Sequence, residues 1–168
     1  RITSRIGLDR DCEIFTSDDD LYVWTAHEHQ RENVSCVLVD EAQFLSPKQV
    51  LQLTLVVDKL KIPVLCYGLR SDFRGEPFPG SAYLLAWSDE MTEIKTICKS
   101  GKKATMNARL DESGNRVTEG DQISIGLNYE AQARDVFELD KVSPIGYQIP
   151  EANCCLLYTS DAADDPAS

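Results

Sequence analysis

Asp40 and Glu41 stand side by side at the end of the apolar run Val34-Ser35-Cys36-Val37-Leu38-Val39, and Ala42-Gln43-Phe44 follow. A strand ending in two adjacent carboxylates places a metal-directing acid beside a base, as nucleotide-hydrolysing and phosphoryl-transfer chemistry requires. Asp40 suits an Mg²⁺ ion held through water, because Mg²⁺ dehydrates reluctantly. Successive side chains of an extended chain point to opposite sides, so Glu41 need not compete for that ion. It is free to accept a proton from an attacking hydroxyl within hydrogen-bond reach. The plainer alternative is that both carboxylates cap the turn before Ser46. No G-x-x-x-x-G-K-S/T phosphate loop occurs in the 168 residues, so the part of such a machine that cradles phosphates is missing from this sequence. The tetrad Asp40-Glu41-Ala42-Gln43 also reads as the acidic motif of a DNA or RNA helicase, in which the Glu would activate water. A helicase core is longer and carries basic and Ser-Ala-Thr-type motifs, and this chain shows none.

The elements around the tetrad must present it at a sheet edge. Residues 34–39 form a continuous apolar, β-branched run, which predicts a strand covered on both faces. Ser46-Pro47-Lys48-Gln49 is a helix start, with Ser46 as cap, Pro47 at the first position and Gln49 closing a capping box. Val50, Leu53, Val57 and Leu60 continue at helical spacing. Residues 63–68 are a second buried strand, so the unit is strand–helix–strand with parallel pairing. The loop Leu69 to Pro79 leaves from the carboxyl edge of that strand, where open α/β sheets bind ligands. Upstream, Leu21 to Gln30 predicts a helix, with Asp18, Asp19 and Asp20 at its positive end. Downstream, a short helix is expected from Ser81 to Trp87 and strands at 93–98, 104–110 and 122–126, with a turn at 111–115. His27 and His29, two residues apart, share no helical face and read as solvated.

The bulk composition narrows the function classes. A formal net charge of −11 disfavours non-specific binding to nucleic acid or an anionic membrane, since both need a basic field. No stretch approaches a membrane span and no signal peptide is recognisable. The first residue is not Met, and the chain is expected to begin in mid-sequence. The six cysteines, Cys12, Cys36, Cys66, Cys98, Cys154 and Cys155, form no C-x-x-C pair and read as free thiols in a reducing cytosol.

Val37-Leu38-Val39-Asp40-Glu41-Ala42-Gln43-Phe44-Leu45 and Ile62-Pro63-Val64-Leu65-Cys66-Tyr67-Gly68-Leu69-Arg70-Ser71-Asp72-Phe73-Arg74-Gly75-Glu76 resemble the bacterial thymidine kinases of the cellular, zinc-containing type. Ser4-Arg5-Ile6-Gly7-Leu8, Leu84-Leu85-Ala86-Trp87-Ser88-Asp89 and Lys95-Thr96-Ile97-Cys98 extend the match over residues 1 to 137, in family order and spacing. The resemblance implies a cytoplasmic kinase that transfers the γ-phosphate of ATP to the 5′-hydroxyl of thymidine, giving dTMP and ADP. It also implies the fold: a P-loop-type parallel sheet with flanking helices, here lacking its phosphate-loop segment, plus a small β-rich lobe. The expected domains are a partial nucleotide-binding α/β domain over 1–92, a β lobe with a lasso-like loop over 93–137, and a tail over 138–168.

By that resemblance Glu41 matches the general base and Asp40 the metal-directing acid, with Asp40, Glu41, Ala42 and Gln43 bordering the ATP. Phe44, Leu69, Phe73 and Phe78 match apolar positions around the thymine pocket. The alternative for Phe73 and Phe78 is that they anchor their loop in the core. Ile125 and Gly126 match the start of the lasso, and Tyr129 matches its tyrosine after a gap of two residues. Leu127 stands where the family usually shows a second Gly. The family's structural zinc is expected to be absent: Cys98 matches the first ligand, but Ser100, Ala133 and Val136 occupy the other three positions. Because the family's phosphate loop precedes the matched region, this chain is expected to be inactive or nearly so. The competing reading is a non-catalytic nucleoside-binding module. Family members are often homotetramers. Residues 154–168 resemble translated adaptor or vector sequence and are read as non-native, the alternative being a native acidic tail.

Overall fold

The computed structural model describes residues 2–3, 7, 9–122 and 128–146. The expected tail at 154–168, most of the strand expected at 122–126, and Ile125 and Gly126 lie outside the described residues; Gln122 itself is in a bend. A two-residue pairing of β1 (Ile2–Thr3) with β2 (Asp9–Arg10) precedes helix α1 (Leu21–Arg31). The acidic run before α1 acts through specific caps. Asp20 accepts from the N–H groups of Tyr22 and Val23 at 3.1 and 3.0 Å, satisfying two of the helix's orphan donors. Asp19 instead folds the preceding turn, accepting from the Thr16 hydroxyl at 2.8 Å. At the other end His29 is half-buried, and its Nδ1 accepts from the Val34 N–H at 3.1 Å. This corrects the solvated reading for that histidine: it latches the chain leaving α1.

Helix α2 (Pro47–Leu55) begins with the predicted capping box, Ser46 and Gln49 each bonding the other's backbone N–H. Two buried amides fasten α1 and the turn before it to α2. Gln52 Oε1 accepts from the Leu21 N–H at 3.1 Å, and Gln49 Nε2 donates to the Thr16 carbonyl at 2.6 Å. The helix then widens into a π-turn over Val56–Leu60, ended by Lys61 in the left-handed region. That widening moves the apolar face. Val56, three residues after Leu53, is fully buried, whereas Val57 and Leu60 are only half-buried. The regular 3.6 spacing expected through Leu60 fails because the turn takes in an extra residue.

Strands β3 (Val37–Val39) and β4 (Val64–Cys66) pair in parallel, Val37 with Val64, Leu38 with Leu65 and Val39 with Cys66. Both are shorter than the apolar runs suggested. The strand–helix–strand reading holds, and the architecture is α/β. Burial on both faces does not hold among the described residues: Leu38 is 69% exposed and Leu65 42%. The covered face belongs to a core of Leu21, Val39, Ala42, Leu45, Val50 and Leu53.

Helix α3 (Pro79–Trp87) starts two residues before the expected point, with Pro79 at its first turn. The β lobe follows. A hairpin of β5 (Thr96–Ile97) and β6 (Lys103–Ala104) leads into β7 (Met106–Leu110), the centre of an antiparallel sheet between β8 (Arg116–Val117) and β9 (Asn128–Gln132). The strand β9, which pairs residue for residue with β7 from Met106↔Gln132 to Leu110↔Asn128, is not anticipated by the sequence reading. Two one-turn helices, α4 (Arg134–Phe137) and α5 (Leu139–Val142), close the lobe. Met106, Ala108, Phe137 and Val142 form its core, so the packing runs past residue 137 into the segment expected to be tail.

The start of α3 passes very close to the turn after the carboxylate pair. A Cβ at Gly80 would lie 2.6 Å from the Leu45 carbonyl oxygen, 2.8 Å from that of Ala42 and 2.9 Å from that of Gln43. These are backbone atoms and cannot rotate aside. Gly80→Ala is therefore expected to lower the unfolding free energy by about 1–3 kcal/mol in urea titration, despite the roughly 1 kcal/mol that alanine gains over glycine inside a helix.

Candidate active site

The carboxylate pair sits where the parallel strands β3 and β4 both end. Asp40 and Glu41 are exposed, and Ala42 and Gln43 behind them are buried. The Ala42 N–H donates to the Tyr67 carbonyl at 2.8 Å, continuing the ladder by which the Tyr67 N–H donates to Val39. Glu41 has φ of +51°, a left-handed conformation that non-glycine residues seldom adopt and that concentrates at functional sites. It leads into a 3₁₀ turn over Ala42–Phe44.

Gln43 orients the Glu41 side chain. Its Nε2 donates to Glu41 Oε2 at 2.5 Å, and its Oε1 accepts from the Leu69 N–H at 3.1 Å. One amide, 2% exposed, thereby ties the candidate base to the first residue of the aromatic loop. The approach requires glycine at position 68, since a Cβ there would stand 2.5 Å from Gln43 Oε1. Ser81 of α3 adds a second tie by donating to the Leu69 carbonyl at 2.5 Å. Asp40 accepts from the Glu41 N–H at 2.9 Å and faces solvent at the strand end. An exposed carboxylate at that edge fits a water-mediated Mg²⁺. With Ala42 and Gln43 buried, their side chains support the edge; Asp40 and Glu41 are the members of the tetrad that present theirs to it.

The expected substrate residues separate into two groups. Phe44, Leu69 and Tyr129 are exposed by 45%, 43% and 49%. Phe73 and Phe78 are buried, as loop anchors are. Phe78 meets Phe44 edge-on with ring centres 5.7 Å apart, and so backs an exposed aromatic. Phe73 lies under the guanidinium of Arg109, whose central carbon is 3.7 Å from the ring centre. The Arg109 Nε donates to the Tyr129 hydroxyl at 3.0 Å. Asp72, Arg109 and Gln122 are absent from the sequence-based site, yet they join the aromatic loop to the strand carrying Tyr129. Only Asp72 carried a signal, an Asp opening a tight Gly-containing turn. An open cleft of about 750 Å³ lies elsewhere, between the loop at Arg70–Pro77 and the edge formed by Lys102, Lys103 and Arg134, and neither carboxylate of the pair lines it.

The positions matching a zinc site do not fit one. Cys98 Sγ lies 2.9 Å from the Ser100 hydroxyl, Ala133 is buried, and Val136 is exposed. A thiol, a hydroxyl and two hydrocarbons do not make a tetrahedral Zn²⁺ site. Among the described residues no three His, Cys, Asp or Glu side chains gather where they could hold a metal ion. The Ser100 hydrogen bond draws the Cys98 thiol below its ordinary range, while burial pushes the Cys66 thiol up to about 11. Thiolate is the reactive form. At pH 8 iodoacetamide is therefore expected to label Cys98 well before Cys66, and Ser100→Ala to slow labelling of Cys98; peptide mass spectrometry reads both.

Comparison with known proteins places the chain in a family. A family model described as "Thymidine kinase" matches residues 1–137. The chain is 54% identical over 139 residues to a thymidine kinase of Shewanella oneidensis, covering 82% of this chain and 72% of the relative. It is 56% identical over 128 residues to one of Photobacterium profundum (76% and 67% covered) and 58% identical over 128 residues to one of Legionella pneumophila (76% and 61% covered). With a family model matching residues 1–137 and relatives more than half identical over most of its length, the chain belongs to the thymidine kinase family.

Proposed function

We propose that the edge formed by Asp40, Glu41 and the loop at Leu69–Phe78 is the phosphoryl-acceptor half of a thymidine kinase, built on a P-loop-type sheet. Thymidine is the acceptor and ATP the donor. The observation that carries this reading is the buried Gln43 amide, which holds the Glu41 carboxylate and the Leu69 backbone on one frame. Glu41 would take the proton from the 5′-hydroxyl as that oxygen attacks phosphorus. Asp40 would hold Mg²⁺ through water, and bound Mg²⁺ supplies neutralising charge to the transferring phosphoryl oxygens. Phe44, Leu69 and Tyr129 offer exposed apolar surface to a flat base, and Phe78 stiffens Phe44 from behind. Ile125 and Gly126 keep their proposed place at the start of the nucleoside loop. Structural zinc has no part in this site. The net charge of −11 speaks against a nucleic-acid partner. Among the described residues no helix is long and apolar enough to cross a membrane.

The 168 residues hold no phosphate loop, which favours a second reading for this chain taken alone, that of a nucleoside binder without turnover. Calorimetry with thymidine and with ATP separates the two. For the kinase reading, the chain is fused to the phosphate loop of one of its relatives and thymidine-dependent ATP turnover is measured. Glu41→Gln is expected to lower kcat about 100-fold or more while leaving thymidine affinity in place. Equal kcat in the two proteins removes Glu41 from the role of base.

A further inference from the structure

Asp72 lies in the loop between β4 and α3 and is 3% exposed. Its Oδ1 accepts from the N–H groups of Arg74 at 2.8 Å and Glu76 at 3.0 Å, which folds the loop on itself. Its Oδ2 accepts from Arg74 Nη2 at 3.4 Å and, from the β lobe, from Gln122 Nε2 at 3.2 Å. The main-chain carbonyl of the same Gln122 accepts from Arg109 Nη2 at 2.9 Å, and that of Asp121 from Nη1 at 2.8 Å. Arg109 is itself 2% exposed. It covers Phe73 and stands opposite Tyr129 in the β7–β9 register. Gln122 is thus held at its side chain by the aromatic loop and at its carbonyl by the strand that carries Tyr129's partner.

We propose that Gln122 is a positioning residue. Through Asp72 and Arg109 it sets where the loop bearing Leu69 and Phe73 stands relative to Tyr129, so fixing the spacing of the two sides assigned to the nucleoside. The proposal rests on the thymidine reading of those sides. The physics is that of a buried carboxylate. Such a group is tolerated only when its oxygens are well bonded, and an amide donating to it makes a charge-assisted bond of above-average strength. Loss of that donor leaves Asp72 Oδ2 with only the long bond from Arg74 Nη2, and the loop shifts to rehydrate it. The hydrogen bonds of Gln122 run to Asp72 and Arg109 and not to Asp40 or Glu41, so its effect falls on nucleoside affinity and not on the proton transfer.

Reversing the polarity of the bond tests this. Gln122→Glu sets acceptor against acceptor. Adding Asp72→Asn restores a donor, because the Asn amide nitrogen can donate to the new carboxylate while its oxygen still accepts from Arg74 and Glu76. In the 168-residue chain, Gln122→Glu is expected to weaken thymidine binding about tenfold, the scale of one lost hydrogen bond to a charged group. It is also expected to speed hydrogen exchange at the Arg74 and Glu76 amides about tenfold. The double variant is expected to recover both to within about threefold of the parent, with the β7–β9 amides protected throughout. The proposal is overturned if Gln122→Glu exchanges like the parent, if the double variant is no better than Gln122→Glu, or if the β7–β9 amides lose protection as well. If the exchange pattern is as expected but the parent chain binds no thymidine, the coupling stands and the nucleoside reading falls.

Discussion

A single buried carboxamide governs the candidate site. Gln43 reaches one way to the Glu41 carboxylate and the other way to the Leu69 N–H, and it can do so only because β3 and β4 run parallel and finish together. Parallel pairing puts the chain after both strands on one edge, where α/β sheets place their ligands. Two glycines then admit the close packing. Gly68 leaves room for the amide, and Gly80 lets α3 lie on the carbonyls of the turn. A side chain at position 68 would push the Gln43 amide from its partners, and one at position 80 would lift α3 off the turn.

The second joint, between the α/β unit and the β lobe, is built around a buried arginine. Arg109 meets the demands of burial by sharing its donors among two backbone carbonyls and a phenol, with one face on the Phe73 ring. Arg116, across the lobe, shows the costlier version. It lies over the Phe137 ring and bonds that residue's carbonyl, but its Nε and Nη2 are buried without hydrogen-bond partners among the described residues. Burial holds its basicity below the ordinary arginine range. The difference lies in what each strand brings alongside. The β7 arginine faces Tyr129 and two backbone carbonyls, whereas the β8 arginine finds the Phe137 ring, a single carbonyl and the charge of Glu138.

Local signals made several elements legible before any coordinates. The capping box at Ser46 and Gln49, the proline at the start of α2, and the apolar β-branched runs of β3 and β4 act over a few residues, and each appears where its chemistry places it. The acidic run before α1 was legible as a helix start, although the work proved to be divided between a cap and a turn. What failed was long-range. The π-turn that exchanges Val57 for Val56 and the exposed face at Leu38 and Leu65 depend on neighbours that no periodicity reports. Within the site, the position of the acid pair at a strand end was readable from the run before it. The partners of that pair were not. Gln43 reads as one more motif letter, and the bonds from Gln122 to Asp72 and from Gln122 to Arg109 span 50 and 13 residues.

The left-handed backbone at Glu41 sets the substitution tolerance of that position. Valine, isoleucine and threonine would crowd the main chain there, whereas glycine would relax it and asparagine would fit with little penalty. A variant that gave up the carboxylate for a small residue would gain stability there, because the strained torsion falls on the residue assigned as base in the proposed reading. In that reading the awkward torsion is the cost of presenting a long acidic side chain at the sheet edge, and a small, unbranched residue would relieve it.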